Sequence, residues 1–228
     1  MYFNNHINKS SYMIPKIIHY CWFGKADKPQ SVLYYIATWK KNLPDYEIRE
    51  WNETNFDYRQ WKFCREAYAV RKYAFVADVC RMYALVSVGG IYLDTDIEVV
   101  SSFNPFLNHQ SFIGLEDEGK LNTGCIAAEA NTPWAKGFLE SYKKRCFINP
   151  KGRHLSWPNS YLLKLYLDKS DSKPIVYPLD YFCAKHYTSR KLAVTKNTVC
   201  IHHYEGTWLN EKLTIIERLK NLYKKFTC

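Results

Sequence analysis

No stretch of the chain reaches about 18 consecutive apolar residues, so a transmembrane helix is not expected. The polar opening from Met1 to Ser11 lacks a basic-then-apolar leader, which argues against secretion and for a cytoplasmic protein. Cysteine is present, yet Cys21, Cys64, Cys80, Cys125, Cys146, Cys183, Cys200 and Cys228 form no CxxC pair. That spacing gives no support to a zinc ribbon or a thioredoxin-like motif, and the thiols read as reduced, buried hydrophobes. Cys228 does not sit in a prenylation box. Internal repeats and Gly/Ser/Pro-rich linkers are missing too, so one domain across residues 1–228 is expected, with a polar lead over 1–12.

What is there is a globular composition, 47% hydrophobic with 24% charged, which excludes disorder as the default. Aromatics reach 17%, enough both to fill a core and to offer flat faces for bases and sugar rings. A formal charge of +10 favours anionic partners such as nucleotide phosphates, acidic lipid headgroups or nucleic acid.

Ile14 to Gly24 reads as a buried first strand, and Ser31 as the N-cap of a helix running through Trp39. The Asn42-Leu43-Pro44-Asp45 break and the alternating Tyr46–Trp51 segment complete a β-α-β opening, which points to an α/β fold. Apolar residues from Glu66 to Val88 recur at helical spacing, stopped by Gly89-Gly90. Short strands follow at Phe112–Leu115 and Gly124–Ala128, helices after Asn131 and Pro158, and a late strand at Val199–Tyr204. The segment 209–228 traces an apolar helical face through Leu209, Leu213, Ile216, Leu219 and Leu222, with lysines and Arg218 around it. Such a helix can pack on the domain with a solvated basic face or lie on an anionic membrane.

Chemistry concentrates after the glycine pair, in Ile91-Tyr92-Leu93-Asp94-Thr95-Asp96. In an extended segment Asp94 and Asp96 share a side, and two converging carboxylates repel unless a cation offsets them. Mg²⁺ or Mn²⁺ suits oxygen ligands and bridges carboxylates to phosphates, so the pair reads as a metal-assisted diphosphate site. Asp78 and Arg81, i and i+3 on the preceding helix, share a face near the same strand end, where open α/β sheets bind ligands. Asp78 can accept bonds from sugar hydroxyls, and Arg81 can neutralise phosphate or carboxylate. His202 and His203 alternate faces on the late strand, so at most one can face the site. His19 reads as a core histidine.

The run from Arg71 through Asp78, Arg81 and Gly89-Gly90 to Asp96 resembles the sugar-binding region of family 32 glycosyltransferases. It is more distantly similar to that of the large clostridial glucosylating toxins. The Ile17–Gly24, Leu43–Tyr46, Asn122–Ala128 and His202–Trp208 segments share the likeness, which spans roughly residues 14 to 208.

The resemblance implies a GT-A type nucleotide-diphosphosugar transferase fold, a mixed, mostly parallel sheet flanked by helices. It implies retaining transfer of a hexose with Mn²⁺ or Mg²⁺, a UDP-sugar being favoured as donor. By position, Asp94 and Asp96 would hold the metal, and Asp78, Arg81 and Tyr92 would meet the donor sugar. Trp22 would stack on the base, Asn122 would approach the sugar, and Trp208 would close over the diphosphate. His203 or Glu205 is a further candidate metal ligand. The setting implied is bacterial polysaccharide synthesis for capsule or surface, on a glycan or lipid-linked acceptor, in the cytoplasm or peripherally on the inner membrane face.

Two other classes compete. A nucleic-acid-binding module would place its charge with aromatics on one face. Here the charge is dispersed or gathered in the tail, and no nucleic-acid partner is expected. A catalytically silent carbohydrate-binding relative would have no need of Asp94 and Asp96.

Overall fold

The computed structural model describes residues 14–117, 119–155 and 157–206. The 1–12 lead, Trp208 and the basic 209–228 segment lie outside the described residues. Strand β1 (Ile17–Cys21), helix α1 (Gln30–Asn42) and strand β2 (Glu47–Trp51) form the expected β-α-β opening, with β1 and β2 paired in parallel. Ser31 is not the N-cap. The cap position is Pro29, extended at ψ 159, and the chain enters the helix directly behind it, which leaves Ser31 in the first turn.

The long helical pattern from Glu66 to Val88 belongs to two helices, α2 (Lys62–Ala69) and α3 (Tyr73–Ser87). Between them Arg71 takes φ 57. Its N–H donates to the Tyr68 carbonyl at 3.0 Å, and the Lys72 N–H donates to the Ala67 carbonyl at 2.9 Å. These two bonds make a Schellman stop whose left-handed position is ordinarily a glycine. An arginine there hides the break from a sequence reader.

Helix α3 closes as expected, with Gly89 at φ 74 just past its end, and β3 (Gly90–Leu93) follows at once. Then come β4 (Ile97–Val99), β5 (Ser111–Asp117), β6 (Lys120–Ala128), α4 (Pro133–Ser141) and α5 (Asn159–Leu167). Strand β7 (Ile175–Tyr177), the single turn α6 (Leu179–Phe182) and β8 (Cys200–His202) complete the described chain. The late strand is thus shorter than Val199–Tyr204, because Tyr204 adopts φ 54 and leaves the extended region.

The main sheet runs β2-β1-β3-β6-β5-β7, with β3/β6 and β5/β6 antiparallel and the other pairs parallel. It is a mixed, mostly parallel sheet flanked by helices. Alternation along the strands feeds two cores. Tyr92, Ile126 and Ile113 join α2, α3 and α4 in one core, while Ile91, Leu93, Cys125 and Phe112 join α1, β4 and β8 in the other. A separate pair, β4 with β8, sets Ile97 opposite His202. That pairing brings the late histidine to the end of the Asp-Thr-Asp turn.

Candidate functional site

Asp94 and Asp96 do not sit within a strand. Residues 94–96 form the turn between β3 and β4, with the Ile97 N–H bonded to the Asp94 carbonyl at 3.1 Å. Strand alternation is therefore not what joins the two carboxylates; the turn folds them together beside His202. One ligand atom from each of Asp94, Asp96 and His202 lies within 4.8 Å of the others.

Each member is held separately. Asp94 donates its backbone N–H to the Gly124 carbonyl at 2.8 Å, and its Oδ1 accepts from the Tyr92 hydroxyl at 3.0 Å. Arg81 Nη2 lies 3.3 Å from Asp94 Oδ1 and 3.0 Å from Asp78 Oδ1, and Nη1 donates to the Thr123 carbonyl at 2.5 Å. The guanidinium also sits 4.5 Å over the Tyr92 ring. The intrahelical pair expected from the i, i+3 spacing is thus extended into a buried chain, Asp78–Arg81–Asp94. Burial pushes the Asp78 carboxyl up to about 7, with Arg81 opposing. Burial also disfavours the Arg81 charge, but Asp94, Tyr92 and Asp78 outweigh it and hold the guanidinium cationic.

On the other side, His202 Nε2 lies 3.2 Å from Asp96 Oδ1, and the Glu205 N–H donates to Asp96 Oδ2 at 3.0 Å. Burial works against a charged His202 ring, yet Asp96, Asp94 and Glu116 together raise its pKa above the ordinary value. Burial likewise works against the Asp96 carboxylate, which His202 and backbone N–H groups hold below its ordinary pKa.

The buried Asn122 fixes the imidazole's tautomer. Its amide nitrogen donates to the Phe182 carbonyl at 3.1 Å, so Oδ1 is the acceptor for the Gly124 N–H at 3.0 Å and for His202 Nδ1 at 3.3 Å. With a proton on Nδ1, the neutral ring presents its Nε2 lone pair beside the two aspartates. Two carboxylates and an imidazole form a donor set that fits a divalent cation of the Mn²⁺ or Mg²⁺ kind.

The other expected residues fall as follows. Tyr92 is buried at the centre, against Arg81 and Asp94. Trp22 is half-buried in the loop after β1, its indole N–H donating to the Ala26 carbonyl at 2.7 Å, and it takes no part in the cluster. His203 turns away: it pairs with Glu98 at 2.9 Å and stacks on Tyr35 with centroids 4.9 Å apart. The Glu205 carboxylate accepts from the Tyr35 hydroxyl at 2.6 Å. In the choice left open by strand alternation, His202 is the histidine whose ring lies with the Asp94 and Asp96 carboxylates, while the His203 ring lies with Glu98. Trp208 lies outside the described residues. His19 is the core histidine expected, with Nε2 donating to the Gly89 carbonyl at 2.7 Å and Nδ1 accepting from the Trp51 indole at 3.0 Å.

Glu116 was not singled out by sequence. It is the extra residue of a bulge, since Leu115 opposes Leu121 while Asp117 opposes Lys120. It lies within electrostatic reach of His202 and Asp94, and burial raises its carboxyl pKa. No short motif marks a bulge residue, so pattern reading passes over it.

Residues 29–113 match a family described as the glycosyltransferase sugar-binding region containing the DXD motif. Asp94-Thr95-Asp96 lies within the matched segment. Among solved structures, a PaToxG glycosyltransferase is similar at 21% identity and a TM-score of 0.49, over 69% of this chain and 70% of its own. A glycosyltransferase involved in glycosylation of the major capsid of PBCV-1 is similar at 12% identity and a TM-score of 0.47, over 82% and 93%. The galactosyltransferase LgtC, in complex with donor and acceptor sugar analogs, is similar at 13% identity and a TM-score of 0.46, over 93% and 96%. No curated protein sequence matches the chain. Among the described residues no helix is long and apolar enough to cross a membrane.

Proposed function

We propose that this chain is a metal-dependent, retaining glycosyltransferase of GT-A type. It moves a hexose from a nucleotide-diphosphate sugar, a UDP-sugar being favoured, to a glycan or lipid-linked acceptor. The observation that carries the reading is the Asp94–Asp96–His202 cluster joined through Asp94 to the buried Arg81–Asp78 pair. One end suits a diphosphate-bound cation, and the other offers a carboxylate and a guanidinium to sugar hydroxyls.

In this reading Asp94, Asp96 and His202 would hold Mn²⁺ or Mg²⁺, and the bound ion would supply electrostatic stabilisation of charge on the leaving diphosphate. Asp78, Arg81 and Tyr92 orient the sugar, and Asn122 positions His202. Trp22 stacks on the base, and Trp208 excludes water. The anomeric carbon–oxygen bond breaks with its electron pair going to the diphosphate. The acceptor hydroxyl bonds to the same face of the carbon, and its proton passes to a diphosphate oxygen. Trapping a glycosyl adduct, with Glu116 the carboxylate to inspect first, would replace this step by a double displacement.

Residues 1–228 act here as one catalytic domain in polysaccharide synthesis at the cytoplasmic face of the membrane. Support for that setting comes from the +10 charge and the basic 209–228 pattern. Co-sedimentation with phosphatidylglycerol vesicles tests the membrane contact, and no pelleting would remove it. For the reaction itself, Asp96→Ala should lower Mn²⁺-dependent UDP-sugar hydrolysis about 100-fold or more while the melting curve stays cooperative. Undiminished turnover in that variant would refute the proposal.

A further inference from the structure

Among the described residues, two buried side-chain polar atoms have no hydrogen-bond partner: Arg81 Nε and Asn159 Oδ1. Both residues are only 6% exposed. Leaving such an atom unsatisfied costs about 1–3 kcal/mol, so each calls for a reason. The two orphans share a neighbourhood. Asn159 opens α5, and its Nδ2 donates to the Tyr142 hydroxyl at 2.8 Å. Tyr142 is fully buried, and the charges of Asp78 and Arg81 both act on its hydroxyl.

The usual use of an asparagine at a helix start is missing, because no side chain caps α5. A purely structural role, holding Tyr142, occupies one end of the amide and strands the other. Turning the amide over exchanges the stranded atom and does not remove it. One orphan is a donor and the other an acceptor, which is the complement of sugar hydroxyls, since each hydroxyl both donates and accepts. Phosphate oxygens only accept, so a diphosphate answers Arg81 and leaves Asn159 unsatisfied.

We infer that Asn159 is a specificity-determining residue for the donor sugar, its amide reading one hydroxyl on the Asp78–Arg81 side of the site. The inference rests on the glycosyltransferase reading above and adds a residue that no motif marks. A buried group committed to one hydroxyl discriminates strongly against a sugar that lacks or inverts it.

The test is hydrolysis of UDP-glucose, UDP-galactose and UDP-N-acetylglucosamine with Mn²⁺ by wild type, Asn159→Ala and Asn159→Ser, alongside titration with UDP and Mn²⁺ alone. Asn159→Ser retains a polar helix start should the alanine variant fold poorly. For the preferred donor, kcat/KM should fall about tenfold or more and the ratio between epimeric donors should collapse towards one. Binding of UDP with Mn²⁺ should stay within about twofold, because UDP carries no sugar. An equal fall for all three donors with the ratios intact, or a matching loss of UDP binding, would assign Asn159 a structural role only and overturn the inference. Wild type that neither hydrolyses nor binds any of these donors would overturn the glycosyltransferase reading, and this inference with it.

Discussion

Gly124 has no side chain because the site occupies the space a Cβ would need. An added Cβ would lie 2.7 Å from Asp94 Oδ2, 2.8 Å from His202 Cε1 and 3.0 Å from Asn122 Oδ1. The glycine therefore permits the close approach of two prospective ligands, one from the turn after β3 and one from β8, over β6. Gly124→Ala should destabilise the fold by about 1–3 kcal/mol, as overpacking of a tight site does. It should also abolish the rise in melting temperature that Mn²⁺ gives the wild type. A variant that melts like wild type and still gains stability from Mn²⁺ would show that the carboxylate and the imidazole have room to part.

Individual elements are placed by stops as much as by propensity. The Schellman turn at Arg71 separates α2 from α3 and so sets where Asp78 and Arg81 face. An L-residue at φ 57 carries a steric penalty that glycine avoids. Arg71 is exposed, so Arg71→Gly should stabilise the protein by about 0.5–1 kcal/mol, read as a shift in the urea midpoint at unchanged slope. A loss of stability would mean that the arginine makes a contact worth more than the backbone strain. The β4–β8 ladder is the other decisive element. Only three residue pairs long, Ile97 with His202, Glu98 with Ile201 and Val99 with Cys200, it aims His202 at Asp96.

At the scale of the whole molecule, His19 ties strand β1 to the end of α3 through Gly89 and to β2 through Trp51. Burial pushes its pKa down from 6.5 to about 4, the Gly89 bond opposing. Between those two values the unfolded chain binds a proton that the folded chain refuses. The His19 contribution is therefore fully present above about pH 6.5 and lost as pH falls towards about 4, by up to about 3 kcal/mol. Asp78, with its carboxyl raised to about 7, acts with the opposite sign over much of the same interval. The readout is accordingly the difference between wild type and His19→Gln. The wild-type unfolding free energy should fall more steeply than the variant's between pH 6.5 and 4.5; parallel slopes would show that His19 does not govern acid stability.

The sequence by itself determined the α/β order, the helix–Gly–Gly–strand path and the carriers of charge on it: Asp78, Arg81, Asp94 and Asp96. Those are local facts, set by spacing along one continuous segment and by the backbone freedom of glycine. Tertiary structure decided the rest. Choosing His202 over His203 depends on the register of β8 against β4, a pairing between segments some hundred residues apart that no local pattern encodes. Glu116 is aimed by a bulge that exists only when β5 and β6 pair. Asn159 gains meaning only when burial leaves its amide half satisfied beside Tyr142. Local periodicity supplies the carboxylates, whereas long-range packing selects which imidazole and which amide stand beside them.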